Sequence, residues 1–168
     1  MEKLATRKYT ARELSAFERE MKVSLPEDYK RYLVEVGAGE FTRSKLSLLE
    51  DWCQPDSPQE LPADFLSQPF PFEGTWNDLS LVDREMGWKA PYFDPLWYRG
   101  SMRIQNLGCE SYRLLVVSGK ERGNLWCDDR ASSAKGIYPF TWGRRQRVTI
   151  GEFLQGRPRA WLRDLIRR

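Results

Sequence analysis

An α+β fold is predicted by three observations along this 168-residue chain. Two capped amphipathic segments come first, a run of short strand-like segments with tight turns occupies residues 100–140, and a third capped segment closes the sequence. Strands grouped apart from helices pair mainly with their sequence neighbours, which makes an antiparallel sheet with helices packed against it. The expected layout is an N-terminal helical pair, a central, mostly antiparallel sheet and a C-terminal helix.

The first helix is read over residues 11–21. Thr10-Ala11-Arg12-Glu13 has the spacing of a capping box, and Leu14, Phe17 and Met21 follow on one helical face. The second is read over 26–36. Pro26 suits a first turn, Glu27 and Asp28 sit at the positive end of the helix dipole, and Tyr29, Leu33 and Val36 repeat at helical spacing. Gly37 can supply a left-handed cap. The short link Lys22 to Leu25 makes the pair a helical hairpin.

Residues 40–98 resist a periodic reading. Phe41 and Leu46 to Leu49 fit a strand, and Trp76 to Met86 fit a short helix. Prolines at 55, 58, 62, 69, 71, 91 and 95 interrupt anything longer. The segment is nevertheless rich in Trp, Phe and Tyr, which a disordered linker is not. An ordered, irregular wrap over the sheet satisfies both facts.

The strands come next. Met102 to Leu107 alternates, with Met102, Ile104 and Asn106 on one face. Tyr112 to Val117 is apolar enough to be central and covered on both sides. Lys120-Glu121-Arg122-Gly123 is a turn, Asn124 to Cys127 returns, and Ile137 to Phe140 adds an edge. Thr149-Ile150-Gly151-Glu152 is a second capping box. It opens a terminal helix with Phe153, Leu154, Trp161, Leu162, Leu165 and Ile166 as its apolar positions, broken or kinked by Gly156 and Pro158.

Composition narrows the function. At 40% hydrophobic and 13% aromatic the chain reads as one globular domain over residues 1–168. No apolar run approaches the roughly 18 residues of a membrane span, and the N-terminus lacks a signal region, so the expected location is cytoplasmic. Cys53, Cys109 and Cys127 have no metal-ligand or disulfide spacing and are expected to be reduced and packed. The chain has no histidine. That removes Ser-His-Asp and Cys-His chemistry, His-containing zinc sites and the commonest general base, which lowers the expectation of an enzyme and leaves no metal expected.

Four local features invite chemistry. Asp128-Asp129 could ligate a cation from a turn, but neighbouring strand residues point to opposite faces, which favours turn solvation or a salt bridge to Arg122 or Arg130. Gly119 and Gly123 lack the Gly-Lys-Ser/Thr of a phosphate loop and read as turn residues. Cys109 has no histidine to activate it. The basic tail from Arg144 to Arg168 reads as the solvated face of an amphipathic helix, so no nucleic-acid partner is expected.

Charge is unevenly spread. Residues 40–98 carry four basic and eleven acidic groups, and residues 99–168 carry fifteen basic and six acidic. Within the acidic segment, Trp76, Trp88 and Trp97 stand among Asp78, Asp83, Glu85 and Asp94. Aromatic anchors within a charged rim are how protein interfaces are built, so these seven residues are the candidate binding face.

Two segments carry a family resemblance. The first runs from Leu25-Pro26-Glu27-Asp28-Tyr29 through Tyr32-Leu33 to Val36-Gly37-Ala38-Gly39. The second holds Gly100-Ser101-Met102-Arg103-Ile104, Gly108-Cys109, Leu115 to Gly119 and Arg122 to Arg130. In this order they resemble the SUKH superfamily, whose members include bacterial toxin-immunity proteins and relatives of a yeast cell-wall synthesis regulator. The likeness covers about residues 10–39 and 98–165, while the segment at about 40–98 diverges. It implies the same α+β layout and a cytoplasmic immunity protein, monomer or weak dimer, that binds and neutralises a cognate polymorphic or contact-dependent toxin domain. It implies no catalytic residue and no cofactor, and the missing apolar span implies no membrane. Two alternatives remain open: a non-catalytic regulatory or scaffold domain, and a carboxylate-based enzyme or small-ligand module.

Overall fold

A computed structural model describes residues 6–39, 45–53 and 61–156. It shows the α+β layout. Helices α1 (Ala11–Glu20) and α2 (Glu27–Glu35) form the N-terminal pair. Strands β1 (Ser101–Gly108), β2 (Ser111–Val116), β3 (Leu125–Asp128) and β4 (Ile137–Pro139) form one antiparallel sheet in sequence order, and α3 (Ile150–Leu154) follows.

Local chemistry explains the helix ends. The Thr10 hydroxyl accepts from the Glu13 amide while the Glu13 carboxylate accepts from the Thr10 amide, and Thr149 and Glu152 repeat the arrangement at α3. Gly37 takes a φ of +99° just after α2. The Ala38 and Arg7 backbones then bridge, returning the chain to the N-terminal strand-like segment. Tyr29 and Leu33, one turn apart on α2, are buried, as are Val116 and Trp126 in the sheet. Trp161 to Ile166, expected as apolar positions of the terminal helix, lie outside the described residues, as does Phe41.

Three expectations are corrected. Leu46 to Leu49 make no strand: the Ser47 amide donates to the Ile104 carbonyl at the edge of β1, and a 3-10 turn follows at Leu49–Trp52. One such bond docks a segment without building a ladder. Trp76 to Met86 make no α-helix and contain only a 3-10 turn at Leu79–Leu81. Asp78 accepts from the Ser80 amide and Asp83 from the amides of Glu85 and Met86, so short polar side chains take donors that a helix would use. Asn106 leaves the face of Met102 and Ile104 and is exposed, because register shifts interrupt the β1–β2 ladder on both sides of Gln105–Asn106.

The sheet is covered on both faces. On one, the Phe70 ring meets Trp126 at 4.8 Å, and the wrap of residues 65–98 lies there. On the other, the Arg113 guanidinium sits 4.1 Å from the Phe140 ring and 5.0 Å from Phe153 of α3. Leu114, Leu115 and Val116, consecutive residues of β2, are therefore all buried. Among the described residues no helix is long and apolar enough to cross a membrane.

Candidate functional site

The wrap is held to the sheet by backbone. Trp76 and Ile137 exchange two backbone hydrogen bonds of 2.8 Å, so the wrap extends the β4 edge at one point. Gly136, beside it, has a φ of +79°, and a Cβ there would overlap the Trp76 carbonyl oxygen and lie 2.7 Å from the Asn77 Cβ. Only glycine lets the two chains approach this closely. Gly100, at the wrap's other end, is equally constrained: φ is +70° and a Cβ would lie 2.6 Å from the Phe70 amide nitrogen.

Between these anchors the aromatic residues separate into two groups. Trp76 and Trp97 are half-buried and stacked at 4.5 Å, with Phe72 and Tyr92 flanking Trp76 at 5.4 and 5.6 Å. The Trp97 indole donates to the Pro91 carbonyl. This is an internal stack that gives the irregular segment its own core. Trp88 is different: 59% of it is exposed, with its ring tilted on Phe93 at 4.7 Å. Leu79, Val82, Met86 and Leu96 are exposed beside it in sequence. Residues 79–96 thus hold five of the eight large apolar side chains exposed among the described residues.

The four acidic residues divide likewise. Asp78, Asp83 and Asp94 cap turns, Asp94 by accepting from the Leu96 amide at 2.8 Å. Glu85 is exposed. So the wrap's acidity is in large part a by-product of its turn chemistry, while Glu85 and Trp88 face outward.

Where the wrap meets the β3 end, a buried ion pair joins them. Arg130 and Asp128 are about 5% exposed, and the guanidinium binds the carboxylate through Nε at 2.7 Å and Nη2 at 2.8 Å. Its Nη1 donates to the carbonyls of Tyr92 and Asp94. Asp128 therefore takes the salt bridge to Arg130 that the sequence favoured. Arg122 instead donates to the backbone carbonyls of Ser24 and Leu25, tying the β2–β3 turn to the α1–α2 link. Asp129 points elsewhere and accepts from Ser111, Ser132 and Ser133. Burial works to raise its carboxyl, but those hydroxyls outweigh it and hold the group below the ordinary carboxylate value. A carboxylate so lowered is a weak general base.

The same junction opens as a cleft of about 150 Å³, walled by Trp88, Phe93 and Pro95 of the wrap and by Arg103, Tyr112 and Arg130 of the sheet. Arg103 lies between two rings, 4.7 Å from the centre of Tyr98 and 4.0 Å from that of Tyr112. Burial pushes the Tyr98 phenol up to about 12, so it stays neutral and serves as an aromatic face.

Sequence reasoning passed over Arg103. It sits between buried Met102 and Ile104 on an alternating strand, which reads as the solvent side. The signal was available: if an aromatic wrap covers that side, an arginine there must be stacked. The cysteines also differ from expectation. All three are free, but Cys109 is exposed and only Cys127 is buried. Cys109 and Glu110 form a two-residue hairpin loop, with φ of +49° and +57°, which turns the side chain out of the core. Among the described residues no group of three His, Cys, Asp or Glu side chains converges as a metal site would.

The sequence matches no protein-family model and no curated protein, and no solved structure matches the chain.

Proposed function

We propose that this chain is a SUKH-like immunity protein that binds and neutralises a cognate bacterial toxin domain in the cytoplasm, with the 79–96 surface as its contact. The observation that carries a binding role is the concentration of exposed apolar side chains there, on a segment anchored by its own aromatic stack and a buried ion pair. Monomeric proteins seldom leave such chains clustered at a surface unless something covers them. Trp and Met are also the residues that dominate interface cores. The two-segment resemblance gives the binding role its biological direction. Of the acidic residues proposed for contact, Glu85 suits the role best, since Asp78, Asp83 and Asp94 serve the turns.

The test is to read the genes beside this one and to co-express the chain with any toxic C-terminal domain they encode. The wild-type chain should restore growth, and Trp88→Ala with Met86→Ser should lose protection while retaining the wild-type circular dichroism spectrum. Growth arrest with the wild-type chain present at high level would refute the immunity reading. Protection by the double variant equal to wild type would move the contact off this surface.

A further inference from the structure

Arg130 and Arg103 line the same cleft in opposite electrostatic states. Arg130 is spent: its donors reach both Asp128 oxygens and two backbone carbonyls. Arg103 is not. Among the described residues no ion pair or hydrogen bond engages its guanidinium, and its Nε is buried without a partner. A guanidinium keeps its proton at any physiological pH and carries five donors in a fixed fork, so burying one edge with nothing to accept from it is costly. The two tyrosine rings hold it in place. Its conformational freedom is already lost in the free protein, which lowers the entropic cost of binding an acceptor.

We propose that the cleft between Trp88 and Arg103 is a binding site for a singly charged carboxylate carried on an apolar or aromatic stem. The carboxylate would meet the Arg103 guanidinium where it lines the cleft, in the bidentate geometry that guanidinium favours. The stem would lie against Trp88, Phe93 and Pro95, the apolar wall of the cleft. Asp128 and Glu110 also line it. Asp128 is neutralised by Arg130, leaving Glu110 to oppose the anion, and for that reason a dianionic phosphate is disfavoured relative to a carboxylate. The site does not depend on the immunity reading, since a small acid and an acidic side chain of a partner share this chemistry.

The experiment follows the Arg103 Nε–H resonance of the uniformly labelled full chain, assigned by its loss in Arg103→Lys, during titration with 3-phenylpropionate and with its neutral amide. The acid should give a saturable shift and the amide none. Trp88→Ala should weaken binding by about tenfold, the scale of one lost aromatic contact. Glu110→Gln should tighten it. Both positions are exposed, so both variants should keep the wild-type amide spectrum. A Phe-Glu peptide with blocked termini, compared with its Phe-Gln counterpart, separates the two sources. A shift with the glutamate peptide assigns the carboxylate to a protein side chain, and a shift with the free acid alone assigns it to a small molecule. No saturable shift with any carboxylate, or equal shifts with acid and amide, would overturn the site.

Discussion

Glu13 shows how much one exposed residue can couple the fold to pH. Its carboxyl is held down to about 2 by the hydrogen bond from the Thr10 amide, then by the Thr10 hydroxyl and the Arg7 guanidinium. The folded value lies below the ordinary 4.5, so the stabilisation is complete above that pH and is lost as pH falls toward 2. Glu13→Gln keeps a capping-box side chain but cannot titrate. The variant should therefore show a shallower loss of unfolding midpoint through that acid range in urea titrations, and parallel acid limbs would contradict the linkage. Leu33 is fully buried, so Leu33→Ala should cost about 2–5 kcal/mol in the same assay. A change below roughly 0.5 kcal/mol, ordinary for a surface site, would mean that the α2 phase is wrong. Helical period made Leu33 and Tyr29 legible as core from sequence. Nothing comparable sorted Trp76 and Trp97 from Trp88, because a segment punctuated by proline has no repeating face to which a ring can be assigned.

The β1–β2 hairpin carries stored strain at the scale of an element. Its two loop residues, Cys109 and Glu110, both have positive φ, which matches the twist of paired strands but suits Asn-Gly far better than Cys-Glu. An L-residue in that region costs about 1–2 kcal/mol. Glu110→Gly should therefore raise the thermal unfolding midpoint, by the equivalent of about 1 kcal/mol. A lowered midpoint would show that the Glu110 side chain contributes more than its backbone costs. The strands themselves were legible because alternation and turn residues bound each one. The wrap's architecture was not, because it depends on single backbone contacts at Gly100 and Gly136 and on aspartates capping turns. Such devices leave the composition of a loop and no period.

For the molecule as a whole, the uneven charge distribution maps onto architecture. The described part of the acidic segment supplies the wrap, and the basic segment supplies the sheet, with Arg103 on β1 and Arg130 just past β3 on the side the wrap covers. Segment charge and aromatic content were enough to mark a candidate binding face from sequence. That the two halves meet through a buried pair was not legible, since Asp128 and Arg130 are near neighbours on β3 and its following turn, and only the fold brings Tyr92 and Asp94 over them. Arg130→Met should cost about 3–5 kcal/mol, because it strands Asp128 in a dry site. Asp128→Asn combined with Arg130→Met should recover part of that loss. A single variant as stable as wild type would show that water reaches the pair.

The wrap is built from four short 3-10 turns and the loops between them, and a segment of that kind would ordinarily open and close many times before the domain unfolds. Here its carbonyls at 92 and 94 are acceptors for a guanidinium that cannot be released without exposing a buried charge pair. Local opening is thereby coupled to global unfolding. Amide exchange at Asp94 and Leu96 should track the slowest amides of β2.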